Sequence, residues 1–350
     1  MCQLKSGLVL KDRVFVPEYD SHDRMLEELK IKDDYLNASK TFVRVELSPA
    51  NGDVFSDISN WDLKTDQDVL PEWWDEEAYK PQVVEAVKEW SKTHIHIGVD
   101  ALEIHSGGNY YVKDCKNVKA RDNSTVKAYG NSTVTAFNNS TVKAYGNSTV
   151  KAYGNSTVTA YDNSTVKAYG NSTVKAYDDS TVKAYDDSTV KAFNNSTVTA
   201  FRNSTVTAFN NSTVKAYGNS TVKAYGNSTV TVYDNSTVTA LRNSTVTACD
   251  NSTVTAFRNS TVTACGNSTV TAYGNSTVTV YDNSTVTAFR NSTVTACGNS
   301  TVIKLNCSSF DKKRLVLSGD STFIDCQTKT IYQTGDWKLV KVKDGGEITK

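Results

Sequence analysis

The sequence predicts a mainly β protein: a β-solenoid with two strands per 16-residue coil, preceded by a small α+β domain and closed by a C-terminal β cap. Three observations carry this. An eight-residue phrase, N-S-T-V-(K/T)-A-(aromatic)-(G/N/D/R), recurs without insertion or deletion from residue 123 to residue 302. Its valine falls at every eighth position from Val126 to Val302, 22 steps over 176 residues and so 23 copies. Composition changes on either side: residues 1–106 are non-repetitive and hold all four histidines and four of the five tryptophans, and residues 304–350 are again non-repetitive. A fixed short period decides architecture before any single residue is read.

Within a typical unit, Asn155-Ser156-Thr157-Val158-Thr159-Ala160-Tyr161-Asp162, strand alternation puts Ser156, Val158 and Ala160 on one face and Thr157 and Thr159 on the other. The inward set is small throughout, with Val232 and Val280 the replacements for alanine, so two such strands face each other across a thin core. Asn, Asp and Gly at the remaining positions are turn formers that tolerate left-handed backbone. Helix is excluded by the density of Val and Thr and by a breaker every eight residues.

Eight residues are too few to close a coil. Cys249, Cys265 and Cys297 share one column at spacings of 16 and 32; Arg242, Arg258 and Arg290 share the next, with Asp234, Asp250 and Asp282 in the alternate units. A 16-residue coil collects the arginines on one edge and the aspartates on the other, with Arg202 the exception, whereas a 24-residue coil scatters them. At roughly 4.8 Å per coil, about 11.5 coils make a rod on the order of 55 Å long. The aromatic column accepts Tyr, Phe, Leu241 and cysteine but no charge, which marks a semi-buried stacking ladder.

The first region, 1–106, reads as α+β. Residues 14–16 and 41–47 look like strands, 23–30 a short helix, 83–90 a helix by apolar spacing, and 94–99 a strand. Residues 107–303 are the solenoid. In 304–350, residues 320–325, 330–332 and 337–342 read as strands, the last two joined in a hairpin through a turn containing Gly335. Lysines on the final strand discourage further strand addition, as a solenoid cap requires.

Charge and cysteine content exclude several function classes. The formal net charge is zero, with 38 basic and 38 acidic side chains, so no strong nucleic-acid or anionic-membrane partner is expected. There is no apolar run of membrane-spanning length and no signal-peptide core, and seven cysteines without C-x-x-C spacing read as reduced thiols. The expected location is cytoplasmic or virion-associated, with the N-S-T sequons unglycosylated. No cofactor is expected.

The outward columns are the candidate surfaces. A basic set comprises Lys143, Lys151, Lys167, Lys175, Lys183 and Lys191, with Asp178/Asp179 and Asp186/Asp187 placed to compensate it. From residue 231 to 295 the same column is threonine throughout, giving T-V-T rows such as Thr245/Thr247, Thr261/Thr263, Thr277/Thr279 and Thr293/Thr295. The unit resembles the A-G-Y-G-S-T-x-T octapeptide of bacterial ice-nucleation proteins, with Ala, Ser and both Thr coinciding and Tyr and Gly each shifted one place. It is equally similar to short repeats of this type in bacterial and phage proteins. The first resemblance covers the array alone and implies a 16-residue-coil solenoid whose threonine rows order water.

Three weaker motifs remain. Cys2 becomes N-terminal once Met1 is removed and then has its own α-amine as base, as in N-terminal-nucleophile hydrolases, although the M-C-G context of that family is replaced by Gln3. His94 and His96 on one strand face, with His105 beyond, are candidate metal ligands; the plain alternative is an exposed strand face. The acidic segment 66–77 with Trp73 and Trp74 reads as a helix start. The leading expectation is a non-enzymatic scaffold or binding module whose N-terminal domain recognises a protein or surface partner. The alternatives are an ice- or lattice-binding threonine array and an N-terminal-cysteine hydrolase. Side-by-side self-association of rods is left open.

Overall fold

The structure is a computed structural model that describes residues 4–105, 107–305, 311–334 and 340–341. It is mainly β, with solenoid coils in each of two compact units, Met1–Val134 and Thr135–Lys350.

The first unit opens with an antiparallel sheet in the order β2-β1-β3-β4, built from β1 (Lys5–Leu10), β2 (Arg13–Phe15), β3 (Phe42–Pro49) and β4 (Trp61–Thr65). Two helices cover its faces. The first, α1 (His22–Glu28), is capped by Ser21 and buries Met25 and Leu26 against Leu8, Leu10 and Phe42. After a single turn, α2 (Tyr35–Ala38), the longer α3 (Glu76–His94) starts at Asp75, whose carboxylate accepts from the Glu77 and Ala78 N–H groups. Its Val83, Val84, Val87 and Trp90 pack on Val9, Val43, Val45 and Leu47. Because β1 is buried on both faces, it shows no alternation, and its Lys-Ser-Gly start hides it from a pattern search.

Parallel coil pairing begins at β5 (Ile95–Ile97), ahead of the octapeptides. Strands β5, β7 (Gly108–Lys113) and β9 (Ser124–Tyr129) form one ladder; β6 (Ala101–Ile104) and β8 (Asn117–Ala120) form the other. Ile95 stands opposite Tyr111, the same step that later joins Thr141 to Thr157. His94 is the last residue of α3 and not a strand residue, which corrects the expected strand at 94–99: Ser91, not a neighbouring strand, receives the next N–H.

In the second unit, four-residue strands alternate between two parallel ladders from Thr141–Ala144 to Thr301–Lys304, each pairing with the strand 16 residues on. The predicted two-strand coil is therefore present, and the register places like on like: Thr on Thr, Val on Val, Ala on Ala. Two further strands, Leu315–Leu317 and Thr322–Asp325, continue the two ladders. Thr322–Asp325 then turns back on Thr330–Gln333, and Thr330–Ile331 pairs with Val340–Lys341, so both hairpins of the cap are antiparallel. Trp337 and the turn at Gly335 lie outside the described residues.

The interior of the repeats is filled by small side chains. Their valines and alanines are buried, and so is the serine of each unit. Serine is there because the turn carbonyls point inward. The Ser172 hydroxyl lies 2.8 Å from the Tyr169 carbonyl and 3.2 Å from the Gly154 carbonyl one coil back; Ser188 repeats the pattern with Tyr185 and Gly170. Each of these two hydroxyls shares its one proton between its own turn and the coil before, whereas Ser228, Ser260 and Ser276 reach their own turn at 2.7 Å and Ser236 finds no partner among the described residues. A buried carbonyl left without a donor costs about 1–3 kcal/mol. Ser172→Ala is therefore expected to destabilise the coils around it by about that amount. Hydrogen–deuterium exchange checks this: protection should fall in the turns at 153–156 and 169–172 and hold at the coils near residue 270.

Candidate functional site

The two ladders present two outward faces. Thr245, Thr261, Thr277 and Thr293 stack in register on one of them, with Thr247, Thr263, Thr279 and Thr295 beside them. The opposite face carries an equivalent grid, Thr253/Thr255 over Thr269/Thr271. The basic set is shared between the faces. Lys151, Lys167 and Lys183 stack on one, and Lys175 and Lys191 on the other, where Lys143 is separated from Lys175 by Thr159. Among the described residues none of these six lysines forms an ion pair. The nearby acids project from the turns at the edges, not from the sheet faces, and Asp186 lies 3.8 Å from Arg202 instead.

The edges hold the aromatic columns. Rings stack coil on coil from Phe137 to Tyr233 on one edge and from Tyr145 to Tyr225 on the other, at centroid separations such as 4.9 Å for Tyr153–Tyr169 and 5.0 Å for Tyr145–Tyr161. They are half-buried, as a stacking ladder should be. Cys249 and Cys265 continue the first column as free thiols with Sγ atoms 2.8 Å apart. Burial, then the hydrogen bond and charge of Cys265, push the Cys249 thiol up to about 12. Cys249 is therefore protonated at neutral pH and a poor nucleophile. Iodoacetamide at pH 7.5 should label it far more slowly in the native protein than after unfolding in guanidinium, as peptide mass spectrometry would read. Equal rates in both states would show that the ladder does not suppress the thiol.

The residues that converge most closely lie in the first unit. His94 is buried between two rings, Trp90 at 4.7 Å and Tyr110 at 4.8 Å. Its Nδ1 lies 3.0 Å from the Trp90 carbonyl, which assigns the proton to Nδ1 and leaves Nε2 as an acceptor. Among the described residues Nε2 has no hydrogen-bond partner. Lys5 also lies against Trp90, 1% exposed, with Nζ 5.0 Å from the indole centroid, 2.6 Å from Asp20 and 3.0 Å from the Tyr19 carbonyl. Burial lowers the Lys5 ammonium against the pull of Asp20. These groups back a polar cleft of about 700 Å³ lined by Glu18, Tyr19, Asp20, Arg24, Gly108 and Asn109, among others. Gly108 joins the two: a Cβ there would stand 3.8 Å from His94 Nε2. Arg24 stacks on the Tyr19 ring at 4.0 Å, and the Tyr19 hydroxyl donates to Glu28.

The histidines His94, His96 and His105 do not converge on a ligand position. His96 faces the Thr93 carbonyl at 3.0 Å and His105 faces Glu103 at 3.2 Å. Among the described residues, the group of metal-ligating type that does converge is His22, Glu46 and Asp66, whose donor atoms lie within 4.8 Å of one another. His22 Nε2 lies 3.2 Å from the Val45 carbonyl and Nδ1 3.3 Å from Asp66. Burial, and then the charge of Asp66, raise the Glu46 carboxyl. These residues come from α1, β3 and the segment after β4, and no sequence spacing links them. Cys2 lies outside the described residues. Comparison of the chain with protein-family models, with curated proteins and with solved structures gives no match.

Burial lowers the His94 imidazole, against the hydrogen bond it donates to the Trp90 carbonyl, which raises it. Below about pH 6.5 the unfolded chain takes a proton that the folded one refuses, so this contribution to stability is lost as pH falls. Denaturant unfolding of the first unit between pH 7.5 and 5.5, followed by tryptophan fluorescence, should show stability falling with pH, and His94→Phe should flatten the slope.

Proposed function

We propose that the protein is a non-enzymatic scaffold, in which the solenoid supplies a rigid support and the cleft of the first unit supplies recognition. The observation that carries this reading is the contrast between the two. Repeat side chains spend their hydrogen bonds and apolar surface on the next coil: serine on turn carbonyls, ring on ring, valine on valine. The cleft instead leaves a buried imidazole nitrogen unpaired behind Gly108 and gathers Glu18, Asp20 and Arg24 at its rim. Such convergent polar groups over a concave surface fit a polar ligand or a peptide carrying both charges.

Removing residues 155–202, three whole coils, is expected to leave partner capture by the tagged protein unchanged, whereas Arg24→Glu with Asp20→Asn abolishes it. Loss of capture in proportion to coils removed would sink the scaffold reading.

The in-register threonine grids favour a second reading, adsorption to ice or another periodic surface. Rows one coil apart stand about 4.8 Å from each other and paired threonines about 6.7 Å along a strand. Inhibition of ice recrystallisation by the purified protein, abolished by Thr→Lys at 245, 247, 261, 263, 277, 279, 293 and 295, would support it; an inactive parent protein removes it.

A further inference from the structure

Two opposite edges of the solenoid carry the same pattern in opposite charge. Along one edge of the second unit, successive coils present Asp234, Asp250, Gly266 and Asp282; along the other they present Arg242, Arg258, Gly274 and Arg290. All six charged side chains are exposed, and among the described residues none of them forms an ion pair. Each sits at positive φ, from 47° at Arg258 to 58° at Asp282, a conformation that glycine or asparagine adopts more readily and does adopt at neighbouring coils. The arginines are therefore placed where the backbone favours glycine or asparagine, and of the aspartates Asp282 also accepts from the Gly266 N–H at 3.3 Å. Within each edge they also stack like on like, Asp250 one coil above Asp234 and Arg258 one coil above Arg242, which is repulsive.

From this matching we infer that copies of the chain associate side by side, in parallel and in register, the arginine edge of one against the aspartate edge of the next. Three observations fix that geometry. Translation by one rod width with a half-coil offset brings Arg242, Arg258 and Arg290 beside Asp234, Asp250 and Asp282, and glycine beside glycine. The same alignment makes no like-charge pair lower down, because Asp162 and Asp178 meet Gly154 and Gly170, while Asp186 and Arg202 meet Asn194 and Asn210. A slip of one coil sets Asp178 beside Asp186 and leaves Arg290 without an acid. The pattern is also not palindromic, so an antiparallel copy cannot satisfy all three pairs. A two-fold dimer joining like edges would set acid against acid or base against base. The contact is heterologous and does not close on itself, so its product is a flat ribbon of rods rather than a dimer. This deepens the scaffold reading by naming a second copy as a partner, but its test needs no knowledge of what the cleft binds.

Sedimentation velocity of the full chain under reducing conditions, at about 50 mM and 500 mM NaCl, separates the outcomes, since exposed pairs are screened within about 4–14 Å over that range. The parent protein should grow in mass with concentration at low salt and revert to monomer at high salt. Arg242→Asn with Arg258→Asn and Arg290→Asn, residues already used at that column in Asn194 and Asn210, should weaken association about tenfold or more. The two charge-reversed proteins give the sharpest arm: one with all three arginines changed to Asp, the other with all three aspartates changed to Arg. Each alone should stay monomeric, and an equimolar mixture should associate. A parent that is monomeric at low salt, or an asparagine variant that associates as the parent does, overturns the proposal. So does a mixture that fails to assemble while the parent succeeds.

Discussion

A buried turn carbonyl must find a donor, and in most repeats the buried serine hydroxyl of the eight-residue unit supplies it, Ser236 being an exception among the described residues. Everything else in the repeats follows from that requirement. A larger inward residue at this position would push the two sheets apart; an alanine would remove the one donor that the turn carbonyls share. With serine fixed, the sheets stand close enough for valine and alanine alone to fill the interior, and the outer positions are released from any role in packing. Those positions are free to vary in charge, which is why lysine and threonine alternate on the faces, and arginine and aspartate on the edges, without disturbing the fold.

The coil was legible because its columns carry marks. Cys249, Cys265 and Arg242, Arg258 recur at 16 and not at 8, and only a two-strand coil puts them in line; the pairing confirms this residue by residue. Arg202, which broke the pattern in sequence, is accounted for by Asp186 beneath it. The flanks were harder for a physical reason. Strand β1 is covered on both faces, so its Leu8, Val9 and Leu10 show no alternation, and β4 is half polar. His94 follows helical apolar spacing and also begins an Ile-His-Ile alternation; the stacking of Trp90 on its ring decides in favour of the helix.

The candidate cleft was less legible still. Glu18, Asp20 and Arg24 lie on one loop and its helix, but Gly108 and Asn109 come from the first coils, some ninety residues later. Lys5 is the clearest case: nothing in Lys5-Ser6-Gly7 suggests an ammonium enclosed between an indole face and Asp20. Such a lysine is stable only because Asp20, the Tyr19 carbonyl and the Trp90 ring replace the water it loses, so it ties the start of the chain to the floor of the cleft.

The sameness of the coils has a consequence for how the chain finds its register. A repeat strand that pairs eight or sixteen residues out of place still sets valine on valine and serine under a turn carbonyl, so nearly every local interaction is recreated and little energy distinguishes the mistake from the correct alignment. Counting must therefore be done elsewhere. The sheet and helices before the first coil, and the hairpins after the last, are the segments that fit in one position only. They act as the two fixed ends of a ruler whose divisions are identical, and the rare odd columns, two adjoining thiols and a leucine among rings, are the numerals on it.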